Sequence, residues 1–542
     1  MALRCSPFLA PLGVLAALGG GCGSEHEAGS TAGSGGATAS GASGGASGGG
    51  ALSGSGPAGA GAGSGGGPAS SAGMSSGGAN NGGSAGAVAG STSLAGGAPA
   101  SGAGGLAGGS GGAPSGGQGV GGRAGASGSG SSMPVDCMLT PTGAPAPSMP
   151  SVVAVTVETD LAAVTGGRIQ FGKDESYGYE APVDVAAADH RTLLLGMPFG
   201  SEVHYRVELT SAAGTCTSED QTLTTGAAPS GVPMLTTAIP DPSKVTPGFV
   251  VVGNGSWATI WNHLGELVWA HKVTFSSVTR VDFSYDGKFL LARDGNPSGT
   301  AGMGIIRKLG LDGASDDAIT LDRSHHDFTA LPDNGFVFFV NAADNCGKLM
   351  RMAPDGTFSE LFNTADAFDT LSGSGSDRCH MNSVHYHEFD DSITFSVLMQ
   401  NAYVKISSKG ELLWVLDGDG PSDFTGDGSE WDRQHGHTMI DANHLFFFNN
   451  RSNSQTALIR EVELDTTAST AKVVFEYDGG GKSQTLGDVQ KLPSGNLLVT
   501  YCNDGLQREI TMEKAMVREF LWPSAVGYAT HRTSLYGAPP PR

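Results

Sequence analysis

The sequence predicts an all-β protein: a long disordered Gly/Ser/Ala linker, a small β-sandwich, and a six-bladed β-propeller. Three observations predict it. Residues 23–135 carry only three charged side chains, Glu25, Glu27 and Arg123, and no Phe, Tyr or Trp. From residue 136 onward, short runs of alternating or β-branched residues are separated by Gly, Pro and Ser turns, with no helical period. Within residues 229–542 a turn followed by an apolar strand recurs, with turn residues Asp286, Asp333, Asp391, Asp441 and Ser494 spaced 47 to 58 apart. Repeats of about 40–50 residues with several strands each are the signature of propeller blades.

Residues 1–22 read as an export signal of lipoprotein type. Arg4 gives a short basic region, Pro7 to Leu18 is apolar but too short to span a bilayer, and Gly19-Gly20-Gly21 leads into Cys22. Cys22 is the expected lipid anchor. The chain is then an exported, membrane-anchored lipoprotein, periplasmic or at the cell surface. The linker, 23–135, cannot bury enough apolar surface to offset the loss of backbone freedom. As a flexible coil it would reach about 55–60 Å.

The formal charge of −22 argues against nucleic acid as a partner, because phosphates need Lys and Arg. Any anion site must be locally positive. Of the seven cysteines, five follow the linker. Pairing within domains would give Cys137–Cys216 and Cys346–Cys379 and leave Cys502 over, although spacing alone does not fix connectivity.

Residues 136–228 form the expected sandwich, with strands in SVVAVTVET, RTLLLGM, EVHYRVELTS and DQTLTT. The segment Leu195-Gly196 … Tyr205-Arg206-Val207 … Thr224-Thr225 resembles the end of a fibronectin type III domain. A spacer or docking role is expected of it, since that fold carries no function by itself.

In the propeller a second element recurs: a Gly turn and a strand ending in an aromatic, at Trp269, Phe362 and Trp414. Gly248–Asn262 adds a further strand pair, giving six blades. Copies in register occupy equivalent positions around the axis. Six residues before the turn residue stand Arg280, His385, His435 and Asp488, and seven before Asp333 stands His326. Titratable groups are therefore expected at one end of the central channel.

Seven of the 14 histidines fall in four short runs around His325-His326, His380, His385/His387 and His435/His437. Clustered imidazoles suit a metal, acid–base chemistry or a nucleophile. The two His-x-His pairs invite a metal, but completing carboxylates are not evident, and no metal is assigned. The acidic loop Asp417–Asp432 offers Asp417, Asp419, Asp423 and Asp427 as oxygen ligands for Ca²⁺. It does not match an EF-hand, and a solvated lid with no cofactor is the expectation.

Taken together, the runs HHDFTALPDNG, CHMNSVHY, QHGHTMI, FFFNN and GDVQKLPSGNLLVT, in that order over residues 245–538, resemble the aryl-sulfate sulfotransferase (arylsulfotransferase) family. The resemblance implies transfer of a sulfuryl group from an aryl sulfate to a phenol, by a metal-free two-step route through a sulfohistidine. It maps the nucleophile onto His435, with His437 in reserve. It maps sulfuryl-oxygen binding or phenol deprotonation onto His326 and His380, and substrate binding onto Asn382, Gln434, His437 and His325. One departure stands out. Leu398, in Ser396-Val397-Leu398-Met399-Gln400, occupies the family's Arg position. Arg293, at the same offset in another blade, or Arg280 is expected to replace that charge. The rival expectation is a catalytically inactive propeller that binds a ligand or protein outside the cell.

Overall fold

A computed structural model describes residues 133–539, apart from residue 188 and residues 274–276, 295–302, 343–345, 374–376, 418–421 and 452–455. The expected export signal, its Cys22, almost all of the linker and Asp419 lie outside the described residues. The rest is β-structure, with helix confined to four single 3₁₀ turns. Among the described residues no helix is long and apolar enough to cross a membrane.

The first unit along the described chain is a two-sheet sandwich. One sheet holds Leu139–Ala146, Met149–Thr159 and Thr192–Leu194, and the other is built on Val164–Gly172 and Glu202–Ser211. Strict alternation in Glu202–Ser211 turns Val203, Tyr205, Val207 and Leu209 inward against Val153, Val155, Ile169 and Phe171. Each such side chain, fully buried, contributes roughly 1.5–3 kcal/mol. Cys137 and Cys216 are joined as a disulfide here. The Tyr536 hydroxyl donates to the Leu193 carbonyl and accepts from the Leu195 amide, fastening the chain's far end to the sandwich.

Six four-stranded blades come next. Their innermost strands are Val526–Arg532, Val278–Phe283, Ser324–Ala330, Met381–His387, Gln434–Met439 and Asp488–Lys491, for blades one to six. The anticipated turn residues sit in the first hairpin of blades two to six. The first blade differs: its inner strand comes from the C-terminal side of the chain and pairs antiparallel with Phe249–Asn254. Thr236–Ala238 in turn adds to the outer edge of blade six. The two ends of the propeller segment thus lock the ring, and the closure leaves few free edges. Apolar layers fill the space between blades, such as Val337, Phe339, Val384 and Phe395 between the third and fourth.

Two features of the inner strands shape the centre of the ring. In blades two to five the pairing slips early in the strand, between Val278 and Arg280, His325 and Phe328, Met381 and Ser383, and Gln434 and His437. Such bulges re-aim side chains. The axis is also closed by protein. The Tyr528 hydroxyl of blade one reaches the Asn382 carbonyl of blade four at 2.7 Å.

Candidate active site

The bulged ends of blades three, four and five bring imidazoles together. His325 and His326 come from blade three, His380 directly precedes the inner strand of blade four, and His435 is the second residue of that of blade five. Ring centroids of His326 and His380 are 4.7 Å apart, those of His325 and His326 5.1 Å, and those of His325 and His380 6.4 Å. His435 interacts electrostatically with both His380 and His326. His326 and His380 hold φ of +55° and +48°. For residues with a side chain this left-handed backbone costs about 1–3 kcal/mol each, and it persists where surroundings enforce it, often at functional sites. Part of the enforcement is visible. Cys379, beside His380, is disulfide-bonded to Cys346, and the His326 carbonyl accepts from the Thr279 hydroxyl at 3.0 Å.

Each ring has a defined environment. His435 Nδ1 lies 2.7 Å from Asn450 Oδ1, and His380 Nδ1 lies 2.7 Å from Asp377 Oδ2. His325 and His326 share a hydrogen bond between their Nδ1 atoms at 2.8 Å. Burial is the first cause of low basicity here. It pushes His435 down to about 3 against the Asn450 bond, with His380 and Arg433 adding to the fall. Burial, then His380 and Arg293, takes His325 down to about 3. His326 is likewise held well below its ordinary value by burial, with His380, His325, His435 and Arg293 adding to it. These three rings are therefore neutral at pH 7. Burial alone would raise Asp377, but the bond from His380 outweighs it and keeps the carboxylate ionised. The His380 side chain, 11% exposed, marks the solvent side of the cluster. The arrangement offers neutral imidazole nitrogen, a His–Asp pair able to move a proton, and two cations, Arg293 and Arg433, for an anion.

A family model described as arylsulfotransferase (ASST) matches residues 350–521, the stretch that holds His380, Leu398, Arg433, His435 and Asn450. Over that stretch the chain is similar to the arylsulfotransferase family. At the family level the match supports aryl sulfotransfer, with aryl sulfates and phenols as the substrate classes. No curated protein matches the chain. Solved structures it is similar to include virginiamycin B lyase from Staphylococcus aureus, at 13% identity over 52% of this chain and 87% of that one, TM-score 0.33. Periplasmic gluconolactonase from Pseudomonas aeruginosa is similar at 14% identity over 68% and 98%, TM-score 0.36. TolB from Acinetobacter baumannii is similar at 12% identity over 62% and 80%, TM-score 0.36. Likeness this slight carries no functional weight.

Several side chains of the propeller do other work than the sequence suggested. Arg280 is enclosed in an ion pair: its Nε and Nη2 meet Asp327 at 2.7 and 3.0 Å, and its Nη1 meets Asp488 at 3.5 Å. It also lies over the Tyr528 ring, and Asp327 additionally accepts from the Val384 amide. These contacts join inner strands of blades one, two, three, four and six, so Arg280 closes the ring instead of replacing the missing charge. Gln434 is turned into the wall, where its amide donates to the Val397 and Ala402 carbonyls and accepts from Trp431 Nε1. Both of its N–H donors are thereby engaged within the wall. His437 has both nitrogens engaged, by Ser383 Oγ and Thr394 Oγ1, each at 2.8 Å. It lines a void of about 10 Å³, together with His385. His385 is the fifth residue of its strand, not near the start, because the distance from strand start to turn residue varies between blades. The blade-four group in the cluster is His380.

Arg293 is buried and its Nη2 lies 3.4 Å from Ser324 Oγ. Asn382 Nδ2 donates to the Gln434 carbonyl at 2.8 Å, which ties blade four to blade five instead of facing a substrate. Leu398 opens a 3₁₀ turn whose first amide donates to the His380 carbonyl at 3.2 Å, so it sits beside the cluster. In the acidic loop, carboxylates of Asp423 and Asp427 accept from the amides of Val415 and Val473. Asp417 is buried at the end of its strand. Among the described residues, one trio of metal-ligating type lies within reach of a common point, Glu175, His204 and Asp220, in the sandwich. Cys502 is a buried free thiol, its pKa raised by burial, which keeps it protonated. Sequence reasoning missed Arg433, Asp377 and Asn450. The available signals were adjacency to Gln434-His435, a position three residues before His380, and the Asn pair ending FFFNN.

Proposed function

We propose that the propeller moves a sulfuryl group from an aryl sulfate to a phenol through a sulfohistidine on His435, with no metal. In the first step His435 Nε2 attacks sulfur and the S–O(aryl) bond breaks, its electron pair leaving with the aryl oxygen. In the second, the acceptor phenol gives its proton to His380 Nε2 while its oxygen attacks sulfur. The N–S bond then returns its pair to His435. Asp377 holds the imidazolium that His380 becomes, and Arg293 and Arg433 face the negative sulfuryl oxygens. The observation that carries this reading is a neutral imidazole from one blade meeting neutral imidazole and a His–Asp pair from two others. A buried ring of this kind keeps its lone pair near neutral pH.

The test is release of nitrophenolate from 4-nitrophenyl sulfate in the presence of phenol. The expected result is turnover that survives EDTA and falls at least about 10³-fold in His435→Ala. Without acceptor, a sulfuryl adduct should accumulate on the peptide containing His435. Turnover by His435→Ala, or loss on chelation, would overturn the proposal. Leu398 beside His380 favours a second reading, an inactive ligand-binding propeller, which total inactivity across several aryl sulfates would support. Export and anchoring through Cys22 belong to the same proposal, supported by the pattern of residues 1–22.

A further inference from the structure

The hydrogen bond between Asn450 and His435 has a direction that its neighbours fix. Asn450 is buried, and its Nδ2 donates to the carbonyls of Ser483 at 2.6 Å and Leu486 at 2.7 Å. Carbonyl oxygens have no proton to give. Turning the amide over would press its oxygen against both, so Oδ1 must face His435. It does so at 2.7 Å from Nδ1. An amide oxygen only accepts, so Nδ1 carries the proton. In a neutral ring Nε2 then holds the lone pair, and it makes no hydrogen bond among the described residues.

We propose that Asn450 is a positioning residue that locks His435 in its Nδ1–H tautomer and so makes Nε2 the atom that accepts the sulfuryl group. The inference rests on the reading of His435 as that acceptor.

The lock is rigid from behind. The two carbonyls belong to the loop entering blade six, where Leu486 holds φ of +58°. The Ser483 hydroxyl of that loop is itself bound to the Thr485 carbonyl and to Asn503. The choice of an amide over a carboxylate also has a physical reason. An aspartate in this place would favour imidazolium, which has no lone pair to attack with. A neutral acceptor orients the ring and leaves it unprotonated. The other charged or titratable groups around His435 are His326 from blade three, His380 from blade four, Arg433 on the adjoining chain, and Asp488 of blade six beside Gly436. The Tyr403 hydroxyl reaches the His435 carbonyl.

Full-chain protein labelled with ¹⁵N-histidine, assigned by comparison with His435→Ala, gives the tautomer directly. The expected spectrum has His435 as Nδ1–H from pH 5 to 8, without titration. Asn450→Asp should make His435 titrate at higher pH. It should also move the acid limb of kcat/KM for 4-nitrophenyl sulfate upward by about one pH unit or more, with alkaline activity largely kept. Asn450→Ala should lose both tautomer preference and roughly 10²–10⁴-fold in kcat, with KM little changed. A wild-type ring protonated at Nε2, or an Asn450→Asp protein with an unshifted acid limb, overturns the proposal. A protein that turns over no donor yet shows Nδ1–H would refute the sulfotransfer reading while leaving the lock in place.

Discussion

Acid should unfold this protein well before its carboxylates protonate. Five buried histidines have folded-state pKa values far below the ordinary 6.5: His325 and His435 at about 3, His531 at about 4, and His326 and His437 lower than usual, burial being the first cause in each. In the unfolded chain these rings bind protons below about 6.5; in the folded chain they do not. The unfolded state therefore holds more protons in this window, and stability rises with pH. It is complete above about pH 7 and lost as pH falls from about 6.5 toward the folded values. At pH 5 each ring forgoes about 1.5 units at about 1.4 kcal/mol, or about 2 kcal/mol. Five rings sum to roughly 10 kcal/mol, a ceiling, since a ring reached by water can protonate in place. A domain's whole stability is about 5–15 kcal/mol. Depressed carboxylates such as Asp377 and Asp316 act in a separate window, near and below pH 4. The assay is urea unfolding followed by tryptophan fluorescence at pH 8, 7, 6 and 5. The midpoint should hold between pH 8 and 7 and then fall steeply, with unfolding in buffer alone near pH 5. His531→Leu, in blade one, should recover about 2 kcal/mol at pH 5 and have little pH-linked effect at pH 8. A urea midpoint that stays level from pH 7 to pH 5 would show that the rings are not held neutral, and the reasoning about His435 would fail with it.

Two further outcomes are expected. Arg280→Met should cost about 3–5 kcal/mol, because Asp327 and Asp488 stay buried without their cation, and adding Asp327→Leu should restore part of it. Unchanged denaturant stability with a lower kcat would instead put Arg280 in the reaction. Cys22→Ser should abolish incorporation of radiolabelled palmitate into the expressed full-length protein; labelling that persists would disprove the anchor.

The blade repeat was legible because it is local. A hairpin needs a turn residue and alternating strands, and both lie within about a dozen residues of Asp286, Asp333, Asp391, Asp441 and Ser494. Blade one escaped that signal because its inner strand, Val526–Arg532, lies more than 270 residues from its partner Phe249–Asn254. The imidazole cluster was half legible. Counting back from the turn found His326 and His435, but in blade four it found His385. The distance from inner-strand start to turn residue runs from six residues in blade six to ten in blade four, and no local pattern reports that. Asn450 was illegible for a stronger reason. Its role depends on where the Ser483 and Leu486 carbonyls fall, and these are set by the packing of blade six on blade five.

The same long-range closure explains how so acidic a chain can present a site for an anion. Arg280 and Arg293 are alike in sequence, one basic residue on each of two neighbouring strands, and both are buried. What separates them is the partner supplied from across the ring. Asp327 and Asp488 stand close to the cluster, and as bare carboxylates they would repel a sulfate ester. Arg280, at 2.7 to 3.5 Å from them, offsets one of their two negative charges. The cations that the imidazoles feel are then Arg293 and Arg433. An ion pair whose direct task is to hold five blades together thereby halves the negative charge near the place where the reaction is proposed to occur. Arg280→Met should therefore weaken sulfate-ester binding as well as the fold, and the double variant with Asp327→Leu should recover part of both.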